Sequence, residues 1–99
     1  QNIYPEEIEA KLNDLPIVAE SLVLENNGKL WALVFPDLAE AKKAGIPEES
    51  ILAKMEENRV VLNKELPEYS KIARIELQRE EFQKTPTNKI KRFLYAVKG

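Results

Sequence analysis

The sequence predicts an α+β fold, in which helices pack on a small three-stranded sheet. Three apolar runs of strand length are separated by segments whose apolar residues recur at helical spacing. The chain has 99 residues, of which 43% are hydrophobic and 32% are charged. This length and composition are typical of a globular domain with one hydrophobic core. We therefore expect residues 1–99 to form a single domain.

The first helix is predicted to begin at Pro5, because proline suits the first helical turn, and to end at Asn13 and Pro16. Its inward face is formed by apolar residues at helical spacing, namely Ile8, Leu12 and Leu15. The acids near its start, Glu6, Glu7 and Glu9, are explained by the favourable field of the helix dipole.

Two strands are predicted next, as a hairpin. They cover residues 17–25 and 29–35, and the tight turn between them is Asn26-Asn27-Gly28. The second strand is apolar on both faces, which predicts that it is central in the sheet. A third strand is expected over residues 71–77. Its alternation places Ala73, Ile75 and Leu77 on one side and Arg74 and Glu76 on the other.

The remaining segments predict helices and a loop. Asp37 is placed to cap a short helix that ends near Ala44. A longer helix is expected over residues 48–66. After a loop over residues 78–86, Thr87 is placed to cap a last short helix. The inward-facing residues of that helix are predicted to be Ile90, Phe93 and Leu94.

The composition excludes several classes of site. The chain contains neither cysteine nor histidine, which rules out disulfides, thiolate nucleophiles, the usual zinc sites and His-dependent triads. The longest strongly apolar run, residues 30–35, is too short to span a bilayer. No secretory leader opens the chain. We therefore expect a cytoplasmic protein with no transmembrane segment.

Positive charge is concentrated at the C-terminal end. Residues 1–81 carry 10 basic and 17 acidic side chains, whereas residues 82–99 carry five basic side chains and no acid. Four of these five cations lie in F-Q-K-T-P-T-N-K-I-K-R, residues 82–92. The pattern alone leaves three interpretations open: a solvated basic loop, a nucleic-acid-binding patch, and one functional lysine directed at a phosphate or carboxylate. The acidic body argues against nucleic acid, because it would repel a polyanion.

Two segments resemble motifs of one enzyme family. N-I-Y-P-E-E-I-E, residues 2–9, resembles G-x-x-I-x-P-x-E-I-E, which in the family follows the interdomain hinge. K-T-P-T-N-K-I-K-R, residues 84–92, resembles the family's closing motif, P-x-T-x-x-G-K-x-x-R. The order of predicted elements between them also matches. Over essentially its whole length, the chain resembles the C-terminal lid domain of acyl-adenylate-forming enzymes, and its closing motif looks most like that of bacterial long-chain fatty-acid–CoA ligases.

The resemblance implies that Lys89 is the catalytic lysine of adenylation, in which a carboxylate and ATP give acyl-AMP and pyrophosphate. A positioned cation holds the two anions together and offsets the charge that develops in the transition state. Thr87, Asn88 and Arg92 are expected to support the motif, with Arg92 in a structural or interface role. Asn88 stands where many members have glycine, and asparagine tolerates left-handed backbone angles. The other basic residues of the motif, Lys84 and Lys91, are expected to be surface charges.

A second implied role belongs to the segment before the first helix. In the family, the domain rotates on its hinge after adenylation. Asn2, Ile3 and Tyr4 would then help to line the passage by which CoA reaches the acyl-adenylate. The alternative that these residues only lead into the helix stays open.

The implied partners are the enzyme's own large N-terminal domain and the substrates fatty acid, ATP and CoA, with Mg²⁺. The chain has no glycine-rich phosphate loop, since its glycines are only Gly28, Gly45 and Gly99. We therefore expect no cofactor bound to this domain alone and no activity from it in isolation. Any peripheral membrane contact would come through the full-length enzyme. Two alternatives stay open: an adenylate-forming enzyme for another carboxylic acid, and a stand-alone module that docks an acidic partner.

Overall fold

The computed structural model describes residues 2–95. Its helices and strands follow in the order α1 (Pro5–Asn13), β1 (Val18–Asn26), β2 (Lys29–Pro36), α2 (Leu38–Lys43), α3 (Ile51–Asn63) and β3 (Ile72–Leu77). Short 3₁₀ turns lie at Glu48–Ser50, Glu68–Ser70 and Arg92–Tyr95. The α+β fold expected from the sequence is confirmed.

The sheet has three strands in the order β1-β2-β3, so β2 is central, as predicted. β1 and β2 form an antiparallel hairpin, whereas β2 and β3 run parallel. Asn27 and Gly28 have φ angles of 54° and 79° in the hairpin turn, which is the left-handed geometry that twisted hairpins favour. The parallel pairing needs a long crossover, and the segment that contains α2 and α3 provides it.

The core lies on the face of the sheet that packs against α1 and α3. Residues of β2 alternate in burial, so that Leu30, Ala32 and Val34 face this core. The two helices contribute Ile8 and Leu12 from α1 and Ile51, Met55 and Leu62 from α3. The predicted inward face of α1 is confirmed, because Leu15 also packs against the core.

The predicted alternation of β3 is wrong at Ala73. A register shift pairs Leu30 with Ile72 but Trp31 with Arg74, so Ala73 is an extra residue in the strand. This irregularity turns both Ile72 and Ile75 into the core and leaves Ala73 exposed. Leu77, which is predicted to lie on the same side of the strand as Ala73, is also exposed.

The long helix predicted over residues 48–66 is shorter than expected. It covers only Ile51–Asn63, and Glu48–Ser50 forms a separate 3₁₀ turn. At the C-terminal end of α3, the Lys71 ammonium donates to the carbonyl oxygen of Asn63 at 2.6 Å. The amides of Glu65 and Leu66 donate to carbonyl oxygens three residues back, those of Leu62 and Asn63, so the last turn tightens to 3₁₀ geometry. In a continued α-helix the Asn63 carbonyl oxygen would bind the amide of residue 67, which is a proline and has no N–H.

The loop before β1 contains a strained residue that its neighbours hold in place. Ile17 is buried and has φ of 56°, a left-handed conformation that a β-branched residue rarely adopts. Its amide donates to the Glu40 carboxylate, and its carbonyl oxygen accepts from the amide of Asp37 at 2.8 Å. The side-chain amide of Asn58 donates to the carbonyl oxygen of Pro16 at 2.9 Å.

The helix predicted to start at Thr87 is wrong. The chain instead pairs with itself, with an antiparallel bridge between Lys84 and Ile90. The Thr87 hydroxyl lies 3.0 Å from the hydroxyl of Thr85 and caps no helix. Between residues 87 and 95, helical geometry is confined to the 3₁₀ turn Arg92–Tyr95, where the predicted inward residues Phe93 and Leu94 are exposed.

Candidate functional site

The basic segment forms a small hairpin, which we call the basic hairpin (residues 83–91). Its backbone pairing begins at Lys91, whose amide donates to the carbonyl oxygen of Gln83 at 2.9 Å. Nearer the tip, the Thr85 amide donates to the carbonyl oxygen of Lys89 at 2.7 Å. Lys89 therefore stands where the chain leaves the tip of a hydrogen-bonded loop.

A four-residue turn makes the tip of the basic hairpin. The Asn88 amide donates to the carbonyl oxygen of Thr85 at 2.8 Å, with Pro86 in the position of the turn that suits its fixed φ. Asn88 has φ of 66°, the left-handed region in which asparagine is tolerated better than most residues. The Thr85 hydroxyl oxygen also accepts from the Lys89 amide at 3.2 Å. The backbone on both sides of Asn88 is thus hydrogen-bonded to Thr85.

Two cations flank this tip, and each is bound to an acid of the domain body. Lys84 forms an ion pair with Glu20 of β1. Arg92 donates to Glu9 of α1 at 2.6 Å and lies 3.7 Å from the exposed Glu6. The sequence-based expectation that Lys84 is a surface charge is therefore wrong, since its side chain is only 24% exposed and is paired.

Lys89 differs from these two cations. Its residue is exposed, and it forms no ion pair with any acid in residues 2–95. Lys91 also has no ion pair in this range, but it is partly buried at the base of the hairpin. Lys89 is therefore the exposed cation that the hairpin presents at its tip.

A groove of about 650 Å³ lies beside the basic hairpin. It is lined by residues of α1, β1 and the hairpin, among them Glu6, Glu9, Glu20, Lys84, Lys89 and Arg92. The fold thus brings the start of the chain and its closing motif to one surface. Thr87 and Lys91 do not line the groove.

The predicted CoA-passage residues lie in the extended lead-in to α1. All three residues, Asn2, Ile3 and Tyr4, are exposed. The side-chain amide of Asn2 donates to the Tyr4 hydroxyl at 3.3 Å. None of the three lines the groove beside Lys89. The two predicted sets of site residues therefore do not line the same groove.

Sequence reasoning missed the part played by Glu9. Its residue is only 8% exposed, and it is bonded to Arg92, so a helix-start position does not account for it. A signal was present, because Glu9 directly follows Ile8 and precedes Leu12 by three positions. It therefore flanks the apolar stripe of α1. An acid at such a partly buried position is costly unless it is paired with a cation or hydrogen-bonded.

The part of the chain that the structure describes offers no metal site, because no three acidic side chains in it converge on a point that could hold an ion. In the same range, no helix has both the length and the apolar character that a membrane crossing requires.

No protein-family model and no curated protein matches the sequence. Solved structures do match it. The chain is 28% identical to a benzoate CoA ligase from Burkholderia xenovorans LB400, with a TM-score of 0.68, over 95% of this chain and 18% of that one. It is 27% identical to an acyl-CoA synthetase from Brucella canis, with a TM-score of 0.71, over 95% of this chain and 17% of that one.

A third solved structure shares the fold at lower identity. It is the adenylation domain of a carboxylate reductase from Mycobacterium chelonae, at 17% identity and a TM-score of 0.76, over 93% of this chain and 16% of that one. The three-stranded mixed sheet with its packed helices matches the C-terminal domain of adenylate-forming enzymes. The chain spans less than a fifth of the length of the solved chains to which it is similar.

Proposed function

We propose that this chain is the C-terminal domain of an ATP-dependent acid–CoA ligase (AMP-forming) and that it supplies Lys89 to the adenylation step. The observation that carries the proposal is the exposed ammonium group of Lys89 at the tip of the basic hairpin, without an ion pair in residues 2–95. A cation that no protein carboxylate neutralises keeps its full charge available for two anionic substrates. The similarity to a benzoate CoA ligase and to an acyl-CoA synthetase supports the reaction class.

In the proposed step, a carboxylate oxygen of the acid attacks the α-phosphorus of ATP. A bond forms between them while the bond from that phosphorus to the bridging oxygen breaks, and pyrophosphate leaves. The Lys89 ammonium donates hydrogen bonds to the carboxylate and to an α-phosphate oxygen. It thereby offsets the repulsion between the two anions and stabilises the charge that develops at phosphorus.

The flanking cations suit this role less well. Lys84 and Arg92 are neutralised by Glu20 and Glu9, and a paired cation adds little field at a substrate. Lys91 lies at the base of the hairpin and does not line the groove. Lys89 alone among these four combines exposure, position at the tip and freedom from an acid of residues 2–95.

The second half-reaction joins the acyl-adenylate to CoA, with release of AMP. We propose that this domain rotates on its hinge between the two steps, so that Asn2, Ile3 and Tyr4 help to form the passage for CoA. The exposure of all three residues ahead of α1 supports this role, because they are available to a second surface.

The carboxylic acid is proposed to be a fatty acid, which rests on the resemblance of the closing motif. ATP, CoA and Mg²⁺ would be bound by the full-length enzyme. Its large N-terminal domain would hold the ATP phosphates and Mg²⁺, because this chain has no glycine-rich phosphate loop. The alternative is a different carboxylic acid substrate, and the similarity to a benzoate CoA ligase supports that alternative. On either substrate, the isolated chain is expected to release no pyrophosphate.

The test compares wild-type full-length enzyme with the Lys89→Ala variant in the two half-reactions. Pyrophosphate release from acid and ATP is expected to slow by about 10²–10³-fold, the usual cost of removing one transition-state donor. Thioester formation from preformed acyl-adenylate and CoA is expected to continue at the wild-type rate. The matched control is Lys91→Ala, which removes the same charge two residues away and should leave both rates unchanged.

If Lys89→Ala leaves pyrophosphate release unchanged, the adenylation role is wrong. The basic hairpin would then be a charged surface, and the interaction-module alternative would take its place. Binding to an acidic protein partner that is lost in both Lys89→Ala and Lys91→Ala would identify that alternative.

A further inference from the structure

We propose that Glu9 is a positioning residue for Lys89, and that it acts through Arg92. This inference deepens the proposed function and rests on it. Glu9 lies in the middle of α1, and Arg92 directly follows the basic hairpin. The ion pair between them fixes the base of the hairpin to the body of the domain, and the hairpin in turn fixes Lys89.

Both oxygens of the Glu9 carboxylate are used. Oε1 accepts from Arg92 Nη2 at 2.6 Å, and Oε2 accepts from the backbone amide of Val23 at 2.7 Å. The Glu9 side chain is 10% exposed, so little water competes for either contact. A single buried carboxylate therefore joins three parts of the fold: α1, the edge strand β1 and the end of the basic hairpin. Charge-assisted hydrogen bonds of this kind are the strong ones.

Within residues 2–95, Arg92 has no equivalent second partner. Its other contact is the Glu6 carboxylate at 3.7 Å, whose side chain is 74% exposed. An exposed pair at that separation contributes little. Loss of the Glu9 charge would therefore leave Arg92 without a buried partner.

Arg92 and Lys89 are mechanically connected. Lys91, the residue before Arg92, closes the base of the hairpin by donating to Gln83. Ile90, which lies between Lys89 and Lys91, forms an antiparallel β-bridge with Lys84. The Lys84 ammonium is in turn paired with Glu20. One strand of the hairpin is thus held by the ion pair of Lys84 with Glu20, and the other by the ion pair of the adjoining Arg92 with Glu9. A shift at the base changes where the tip, and with it the Lys89 ammonium, meets the substrates.

The test measures both half-reactions of the full-length enzyme with Glu9→Gln, Arg92→Gln and the double variant. Glutamine keeps the size of Glu9 but removes the charge that binds Arg92. Pyrophosphate release is expected to fall roughly ten- to a hundredfold in kcat, the cost of misplacing a catalytic group by about 1 Å. Thioester formation from preformed acyl-adenylate is expected to be unchanged. The double variant should be no slower than the slower single variant, because the two residues act through one contact.

The matched control is Glu7→Gln, which removes the same charge from the same helix. Glu7 is exposed and forms no ion pair in residues 2–95. Its half-reactions should both match the wild type. Hydrogen exchange of the full-length enzyme adds a direct measure: peptides covering residues 83–91 should exchange faster in Glu9→Gln than in Glu7→Gln.

The outcomes separate this inference from the proposed function. If Lys89→Ala slows pyrophosphate release but Glu9→Gln and Arg92→Gln do not, Glu9 positions nothing and only the inference fails. An equal loss in both half-reactions would also overturn it, because that result describes general destabilisation. If Lys89→Ala itself has no effect, the proposed function fails first and the inference falls with it.

Discussion

The side chain of Asn63, the last residue of α3, pairs with the backbone of Ile72 at the start of β3 in both directions. Its carboxamide oxygen accepts from the Ile72 amide at 2.8 Å, and its nitrogen donates to the Ile72 carbonyl oxygen at 3.0 Å. β3 is an edge strand, so these groups have no strand partner on that side. The asparagine therefore provides the acceptor for the Ile72 amide at this edge, and it shares the Ile72 carbonyl oxygen with Arg59.

Asn63→Ala should lower the free energy of unfolding of the chain by about 1–3 kcal/mol, because it removes both hydrogen bonds at once. Arg59 still donates to the Ile72 carbonyl oxygen, which limits the loss. Urea unfolding followed by circular dichroism measures the change. Lys64→Ala, at the next and exposed position, should shift stability by less than about 0.5 kcal/mol. Equal effects of the two substitutions would contradict this role for Asn63.

Asn58 is a second polar anchor on α3 and, unlike Asn63, it is buried; it holds the loop before β1. It is 3% exposed and donates to the carbonyl oxygen of Pro16 at 2.9 Å. Asn58→Ala leaves that carbonyl without its partner beside the strained Ile17, and should cost about 1–3 kcal/mol of unfolding free energy. Glu57→Ala, one residue earlier and exposed, is the control for the same helix. A stability unchanged in Asn58→Ala would show that the loop needs no anchor.

Met55 lies at the centre of the core and is fully buried, whereas Leu52 on the same helix is 48% exposed. Met55→Ala should destabilise the chain by about 2–5 kcal/mol, because it removes buried apolar atoms and leaves a cavity. Leu52→Ala should cost well under half as much. Thermal and urea unfolding of the two variants measure the difference. Similar losses of stability at both positions would mean that α3 buries a different face against the core.

Asn88 occupies a left-handed position at the tip of the basic hairpin, so its replacements should differ by backbone conformation. Asn88→Gly should keep the hairpin and the rate of pyrophosphate release in the full-length enzyme, because glycine adopts this φ without strain. Asn88→Val should cost about 1–2 kcal/mol locally, because a β-branched side chain clashes there. Its pyrophosphate release should slow while thioester formation persists. Equal rates in the two variants would show that the tip geometry does not matter.

Much of the fold could be predicted from local patterns. Helix α1 was predicted within its observed bounds because Pro5 starts it and its apolar residues recur on one face. The hairpin turn followed from Asn27 and Gly28, which tolerate positive φ. Both are local effects, decided within a few residues, so the sequence contains the information directly.

The errors share a different cause. The last turn of α3 tightens into i→i−3 hydrogen bonds ahead of Pro67, and the burial pattern of β3 depends on a register shift against β2. The basic hairpin replaces the predicted last helix because residues 84 and 90 pair with each other. None of these contacts leaves a periodic signal along the chain.

The sequence by itself determined the α+β class, the central position of β2 and the presence of a lysine in a basic closing segment. Only the tertiary structure decided which cations remain available, because ion pairing joins residues far apart in the chain. Glu9 meets Arg92 and Glu20 meets Lys84 when α1 and β1 come together beside the hairpin. The sequence shows how many cations the closing segment contains, whereas the folded chain pairs some of them with acids and leaves Lys89 exposed.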